Sequence, residues 1–159
     1  MALFRYSLMF TAIFFLFICT TQTTGAESEK ISGLVKLKSN LAMEETVAAL
    51  QKAIKDKGLT LFTTIDHSAN AGKAEIDLPP TMVVIFGNPK LGTPLMQIKR
   101  TLAIDLPQKM LVWQDEKEQV WIAYNSAEYL ARRHNISEME HFQKIAGALE
   151  GLARTAAGK

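Results

Sequence analysis

A carboxylate next to an imidazole, and a lysine set among glycines and prolines, are the groups in this chain best placed to do chemistry. Asp66-His67 closes an alternating apolar stretch, and a carboxylate at a strand end can orient an imidazole for proton transfer or metal binding. Neighbours on a strand point to opposite faces, so the two cooperate only if the chain turns there, which Ser68-Ala69-Asn70 permits. Otherwise Asp66 is a helix cap and His67 a surface residue. The second candidate is Phe86-Gly87-Asn88-Pro89-Lys90-Leu91-Gly92-Thr93-Pro94-Leu95-Met96, which follows the apolar run Thr81-Met82-Val83-Val84-Ile85. Connections this dense in glycine and X-Pro steps either re-aim the chain or hold a ligand.

Gly87 and Gly92 have the glycine spacing of a phosphate loop, and a helix opening at Thr93 would point N–H groups at an anion. A true phosphate loop places its lysine directly after the second glycine. Lys90 precedes Gly92, which disfavours nucleotide hydrolysis by that mechanism. A small anionic ligand held by Lys90 and nearby N–H groups is the functional reading. The plain one is a tight strand-to-helix corner, because Gly, Pro and Asn need no ligand to explain them.

The other reactive side chains carry weaker signals. His134 falls near a helix end, where the dipole accounts for it, and His141 makes no short metal-ligand spacing with it. No metal site is expected. The cofactor is unknown: no Cys-x-x-Cys-His motif is present, although His67 alone leaves haem ligation open. Trp113 and Trp121 fall in facing strands and read as packing residues, and Tyr124-Asn125 ends a strand beside a helix cap. No Gly-x-Ser-x-Gly elbow or His-Glu-x-x-His helix appears.

The elements that must position these groups follow from periodicity. Ile31 to Lys38 alternates as a strand, with Gly33, Val35 and Leu37 on one face. Ser39 and Asn40 are helix-start residues, and Met43, Val47, Leu50 and Ile54 share one helical face ahead of Gly58. A second strand runs from Leu59 to Asp66, a small-residue loop from Ser68 to Lys73, and an interior strand from Thr81 to Phe86. Thr93 caps the next helix with Pro94 at its first position, and Leu106-Pro107 stops it. Lys109 to Trp113 and Val120 to Tyr124 form a hairpin over a charged connector. Asn125-Ser126-Ala127-Glu128 and Ser137-Glu138-Met139-Glu140 both have the spacing of a helix start. The order β-α-β-β-α-β-β-α predicts an α+β domain with helices packed on a mostly antiparallel sheet.

The ends and the charge bound the setting. Arg5 precedes an apolar run from Leu8 to Cys19, then a polar stretch and Gly25-Ala26. That pattern predicts a secretory signal peptide over 1–26, cut after Ala26, and hence a periplasmic or secreted protein. The run is shorter than the roughly 18–20 residues a spanning helix needs, so no stable membrane insertion is expected after cleavage. An uncleaved anchor is the alternative. Ile18 is too large for a lipoprotein site at Cys19, the one cysteine, so the mature chain would carry no thiol for catalysis. Residues 27–154 make one domain and 155–159 a frayed tail. The formal net charge is +2, and Arg5 leaves with the signal; so balanced a chain is not expected to bind nucleic acid.

Several strings together resemble one bacterial family. They are Glu44-Glu45-Thr46, Gly58, Ile65-Asp66-His67, Leu78-Pro79-Pro80-Thr81, Phe86 to Met96, Asp105-Leu106-Pro107, Val112-Trp113, Val120-Trp121, Tyr124-Asn125 and Leu130-Ala131-x-x-His134. They cover roughly 33–136, leaving the 137–154 helix outside, and the family is that catalogued as domain of unknown function 302. The resemblance implies a small α+β fold that pairs into homodimers, and no reaction. The expected function is therefore a non-catalytic small-ligand-binding or accessory domain, with Asp66, His67, Asn88, Lys90, Thr93 and Tyr124 as candidate ligand contacts. The alternatives are an enzyme using His67 as acid or base with Lys90 as anion clamp, and a dimeric interaction module.

Overall fold

Apolar alternation and turn chemistry assemble five strands into one antiparallel sheet. The computed structural model describes residues 33–137 and 139–159, so the signal-peptide expectation and Ile31 lie outside the described residues. The elements are β1 (Leu34–Lys38), α1 (Met43–Asp56), β2 (Thr60–Asp66), α2 (His67–Lys73), β3 (Thr81–Gly87) and α3 (Pro89–Ile98). A 3-10 turn (Arg100–Ile104), β4 (Gln108–Gln114), β5 (Val120–Asn125), α4 (Ala127–Arg133) and α5 (Met139–Ala156) complete them. The sheet order is β1-β5-β4-β3-β2, and every neighbouring pair is antiparallel. The α+β class and the antiparallel sheet are as expected. The short helix α2 is an addition to the expected order, and the helix start read at Asn125 to Glu128 opens a short helix of its own, α4.

One sheet face carries the main core. Val84 and Phe86 of β3, Met110 and Val112 of β4, and Ile122 and Tyr124 of β5 are buried against Leu50 and Ile54 of α1 and Leu149 and Leu152 of α5. Each such side chain contributes roughly 1.5–3 kcal/mol by leaving water. A second cluster, Leu95, Leu102, Leu130, Ile136 and Phe142, joins α3, the 3-10 turn and α4 to α5. On the opposite sheet face Trp113 and Trp121, cross-strand partners, stack with centroids 6.1 Å apart. The Lys38 ammonium lies 5.2 Å from the Trp121 ring, a cation–π contact.

Local chemistry moved several boundaries. Ser39 does not cap α1; Ala42 is the N-cap, and Glu45 Oε2 accepts the Ala42 N–H at 3.3 Å. Ser39 instead shares a buried 2.7 Å hydrogen bond with Thr46. The small-residue loop after β2 is helical because Asp66 caps it, and α4 starts one residue later than expected, with Ser126 accepting the Tyr129 N–H. The tail is not frayed: α5 runs to Ala156, Ala156 and Ala157 are fully buried, and the Ala157 carbonyl accepts the Asn40 N–H at 2.9 Å. Gly158 ends it at φ +68°, a conformation that glycine adopts without strain. At the other end Gly33, φ +69°, leaves room for Tyr129, whose ring a Cβ there would overlap.

Candidate functional site

The Phe86 to Met96 segment builds one wall of an apolar cavity. Asn88, not Thr93, starts α3: its side chain accepts the Lys90 N–H at 2.9 Å, and Pro89 takes the first helical position, where a missing N–H costs nothing. Pro94 then lies inside the helix rather than at its start. The Leu91 and Gly92 amides both reach the Asn88 carbonyl, at 2.9 and 3.0 Å. The N–H groups expected to meet an anion here are therefore engaged within the turn itself.

Opposite α3 stands α5, which contributes Ile145, Ala148, Leu149 and Leu152, with His141 and Lys144 toward solvent. Phe62 and Phe86 close one side; Ala103, Leu106 and Pro107, across a cis Leu106–Pro107 bond, close the other. The cavity, open at one side, has a volume of about 370 Å³, within the roughly 300–1,000 Å³ of small-molecule sites. Phe86, Leu95, Leu149 and Leu152 at its floor are buried, whereas Phe62 and Leu91 at its rim are half exposed. Gly87 and Gly92 line it too, and a Cβ at either would make only ordinary contacts.

The candidate contacts do not converge. Asn88 and Thr93 are on the cavity wall, and Lys90 is exposed on the outer side of α3. Asp66 pairs with Met82 at the opposite end of the sheet from Phe86. Its carboxylate accepts the Ala69 N–H at 2.8 Å and the Ser68 hydroxyl at 2.7 Å. Those two bonds, the backbone one first, hold its pKa below the ordinary 3.8. His67 opens α2 and is exposed. Tyr124 is buried under α5, beside a separate cleft with Glu128, Glu150 and Arg154. Burial, then the Glu150 and Glu128 charges, raises its phenol pKa.

Sequence reasoning missed a buried polar relay centred on His134. His134 is buried, and its Nε2 lies 2.6 Å from Asp105 Oδ2, which also meets Arg133 Nε at 3.2 Å. On the other ring nitrogen, His134 Nδ1 shares a 3.1 Å hydrogen bond with Thr101 Oγ1. Hydroxyl, imidazole and carboxylate in line have the order of a nucleophile, a base and its orienting group. None of Thr101, Asp105 and His134 lines the cavity or the Tyr124 cleft. The chain acts as a clamp between the 3-10 turn and α4. Its signal was present: Asp105-Leu106-Pro107 and Leu130-Ala131-x-x-His134 are two of the family strings.

Known proteins give a family and no chemistry. Over 105 residues the chain is 44% identical to a protein named fluoride-specific ion channel FluC 1 from Brucella suis biovar 1 (strain 1330), covering 66% of this chain and 41% of that protein. FluC 2 from Brucella melitensis biotype 1 (strain ATCC 23456 / CCUG 17765 / NCTC 10094 / 16M) matches equally over 39% of its length. The chain thus spans about two fifths of these relatives, and among its described residues no helix is long and apolar enough to cross a membrane. The crystal structure of an uncharacterized conserved protein DUF302 from Bacillus stearothermophilus shares the fold, with a TM-score of 0.71 at 17% identity over 77% of this chain and 97% of that one. A family model covers residues 35–152, most of α5 included, and by that match the chain belongs to the family described as Domain of unknown function DUF302.

Proposed function

We propose that this is a non-catalytic binding domain that takes a small, largely apolar ligand into the cavity between α3 and α5. The observation that carries the reading is the cavity itself: about 370 Å³, apolar at the floor, with a few polar groups near its mouth. Such a site gains affinity from water release and orientation from its few polar contacts. Acid–base catalysis is less well supported, because His67, Lys90 and Tyr124 occupy three separate places. Export through the N-terminal segment and pairing of two copies belong to the same proposal.

Native mass spectrometry of protein recovered from its own host's periplasm tests all three parts. The expected species is a dimer cut after Ala26 with a small mass excess. Ala148 is exposed on the cavity rim, so Ala148→Trp fills the mouth without touching the core. The excess should disappear in that variant, and binding of a neutral naphthylamine dye should weaken at least tenfold, with Tm nearly unchanged. A wild-type chain that carries no excess and binds no dye would sink the reading.

The matches to channel-named proteins favour a second reading, an accessory domain serving a fluoride-specific ion channel. A strain lacking this chain should then grow less well in fluoride than its parent; equal growth removes that reading.

A further inference from the structure

We infer that the ligand of this cavity is a single-chain amphiphile with an anionic head, of the medium-chain carboxylate type. The inference rests on the cavity reading above and adds the chemical class. Two basic side chains and no acidic one line the wall: His141 and Lys144, one turn apart on α5. Both are exposed while Leu149 and Leu152, further along the same helix, form the buried floor. The site is therefore graded, apolar in depth and cationic at the mouth. Lys144 can lay its methylenes along the apolar rim and keep its ammonium in water, as long cationic side chains do.

Lys144 already has a partner, Glu140 Oε1 at 2.9 Å. The two side chains are 71% and 77% exposed, and an ion pair so open contributes little. An incoming carboxylate at the edge of an apolar site meets less screening and competes for the ammonium. Asn88, also on the wall, has its acceptor Oδ1 engaged by the Lys90 N–H, which leaves its amide NH2 as a neutral donor beside the two basic groups. Size sets the rest: about 370 Å³ lies near the low end of small-molecule sites, which suits one chain on the order of ten carbons and not a two-chained lipid.

The test is displacement of N-phenyl-1-naphthylamine, a neutral apolar probe, from the full chain at neutral pH and low salt. Decanoate, decanol and decylamine compete in parallel. Decanoate should displace the probe at about tenfold lower concentration than decanol, with decylamine weakest. Shortening decanoate should cost about fourfold per methylene, as expected of a buried chain. His141→Gln/Lys144→Glu should erase the advantage of decanoate over decanol, and decanol displacement in the same variant reports that the cavity is still formed. Equal displacement by decanoate and decanol in the wild type overturns the assignment of the head group while leaving the apolar site standing. So does a decanoate preference that survives in the double variant. A wild-type chain that does not bind the probe at all fails the cavity reading, and this inference with it.

Discussion

Phe86→Ala should lower stability by about 3–5 kcal/mol, a drop in Tm on the order of 10 °C. Phe86 is 2% exposed and faces Leu61 across the β2–β3 pair. It is part of the core between sheet and helices and also of the cavity wall. Truncation removes ring contacts on both sides. The cavity side adjoins space that is already empty, so collapse cannot recover the loss, and large-to-small costs are highest where the surroundings cannot close in. Phe86→Leu keeps most of the volume and should cost less than about 1.5 kcal/mol. Chemical denaturation of the three proteins checks this. A loss below 1 kcal/mol for the alanine variant would mean that Phe86 is not a core residue. Because the wall recedes, the folded alanine variant should still bind the neutral probe, which separates its effect from that of Ala148→Trp.

What was legible in the sequence was whatever local rules decide without competition. The strand positions, the α1 stripe through Leu50 and Ile54, and the β4–β5 hairpin stand as read, although a register shift between Leu61 and Thr63 breaks the alternation of β2. Errors arose where two local solutions were equally good. Asn88-Pro89 and Thr93-Pro94 are both a cap followed by proline. Taking the first carries a cost, a proline inside α3 without the N–H to bond the Lys90 carbonyl. In return Leu95 is buried against Leu102 and Phe142, a tertiary gain that no local rule contains. Similarly, Thr155 to Gly158 has the composition of a tail, and it is held by burial of Ala156 and Ala157 in the main core and by contacts to the distant Asn40 and Leu41.

The cavity was half legible for a related reason. The Gly87–Met96 string marked the right segment, yet its glycines are required neither by φ nor by close approach. Their effect is to leave volume, which appears only when α5 is set opposite. In sequence, α5 shows only a helix start and an apolar face through Phe142, Ile145, Leu149 and Leu152. Nothing in it said that one end of the face, at Ile145 and Ala148, would meet empty space.

Asp105→Ala should destabilise the fold by about 3 kcal/mol, because it strands a buried partner. Asp105 and His134 are 9% and 6% exposed, and their 2.6 Å contact spans 29 residues. Without the carboxylate, His134 Nε2 loses its acceptor, and an unsatisfied buried donor carries its full desolvation penalty. The clamp holds the 3-10 turn to α4, and the chain leaving that turn supplies Leu106 and Pro107 to the cavity wall. Stability and probe binding should therefore fall together. Asp105→Asn retains an acceptor oxygen for a neutral imidazole and should cost only about 1 kcal/mol. Urea denaturation of both variants, followed by dye binding at a temperature where each is folded, checks the ordering. Equal losses for alanine and asparagine would show that the charge, rather than the hydrogen bond, holds the turn. Thr101→Val, which removes the hydroxyl from the other ring nitrogen, should cost about 1 kcal/mol and weaken probe binding slightly, as loss of the lesser arm of the same clamp.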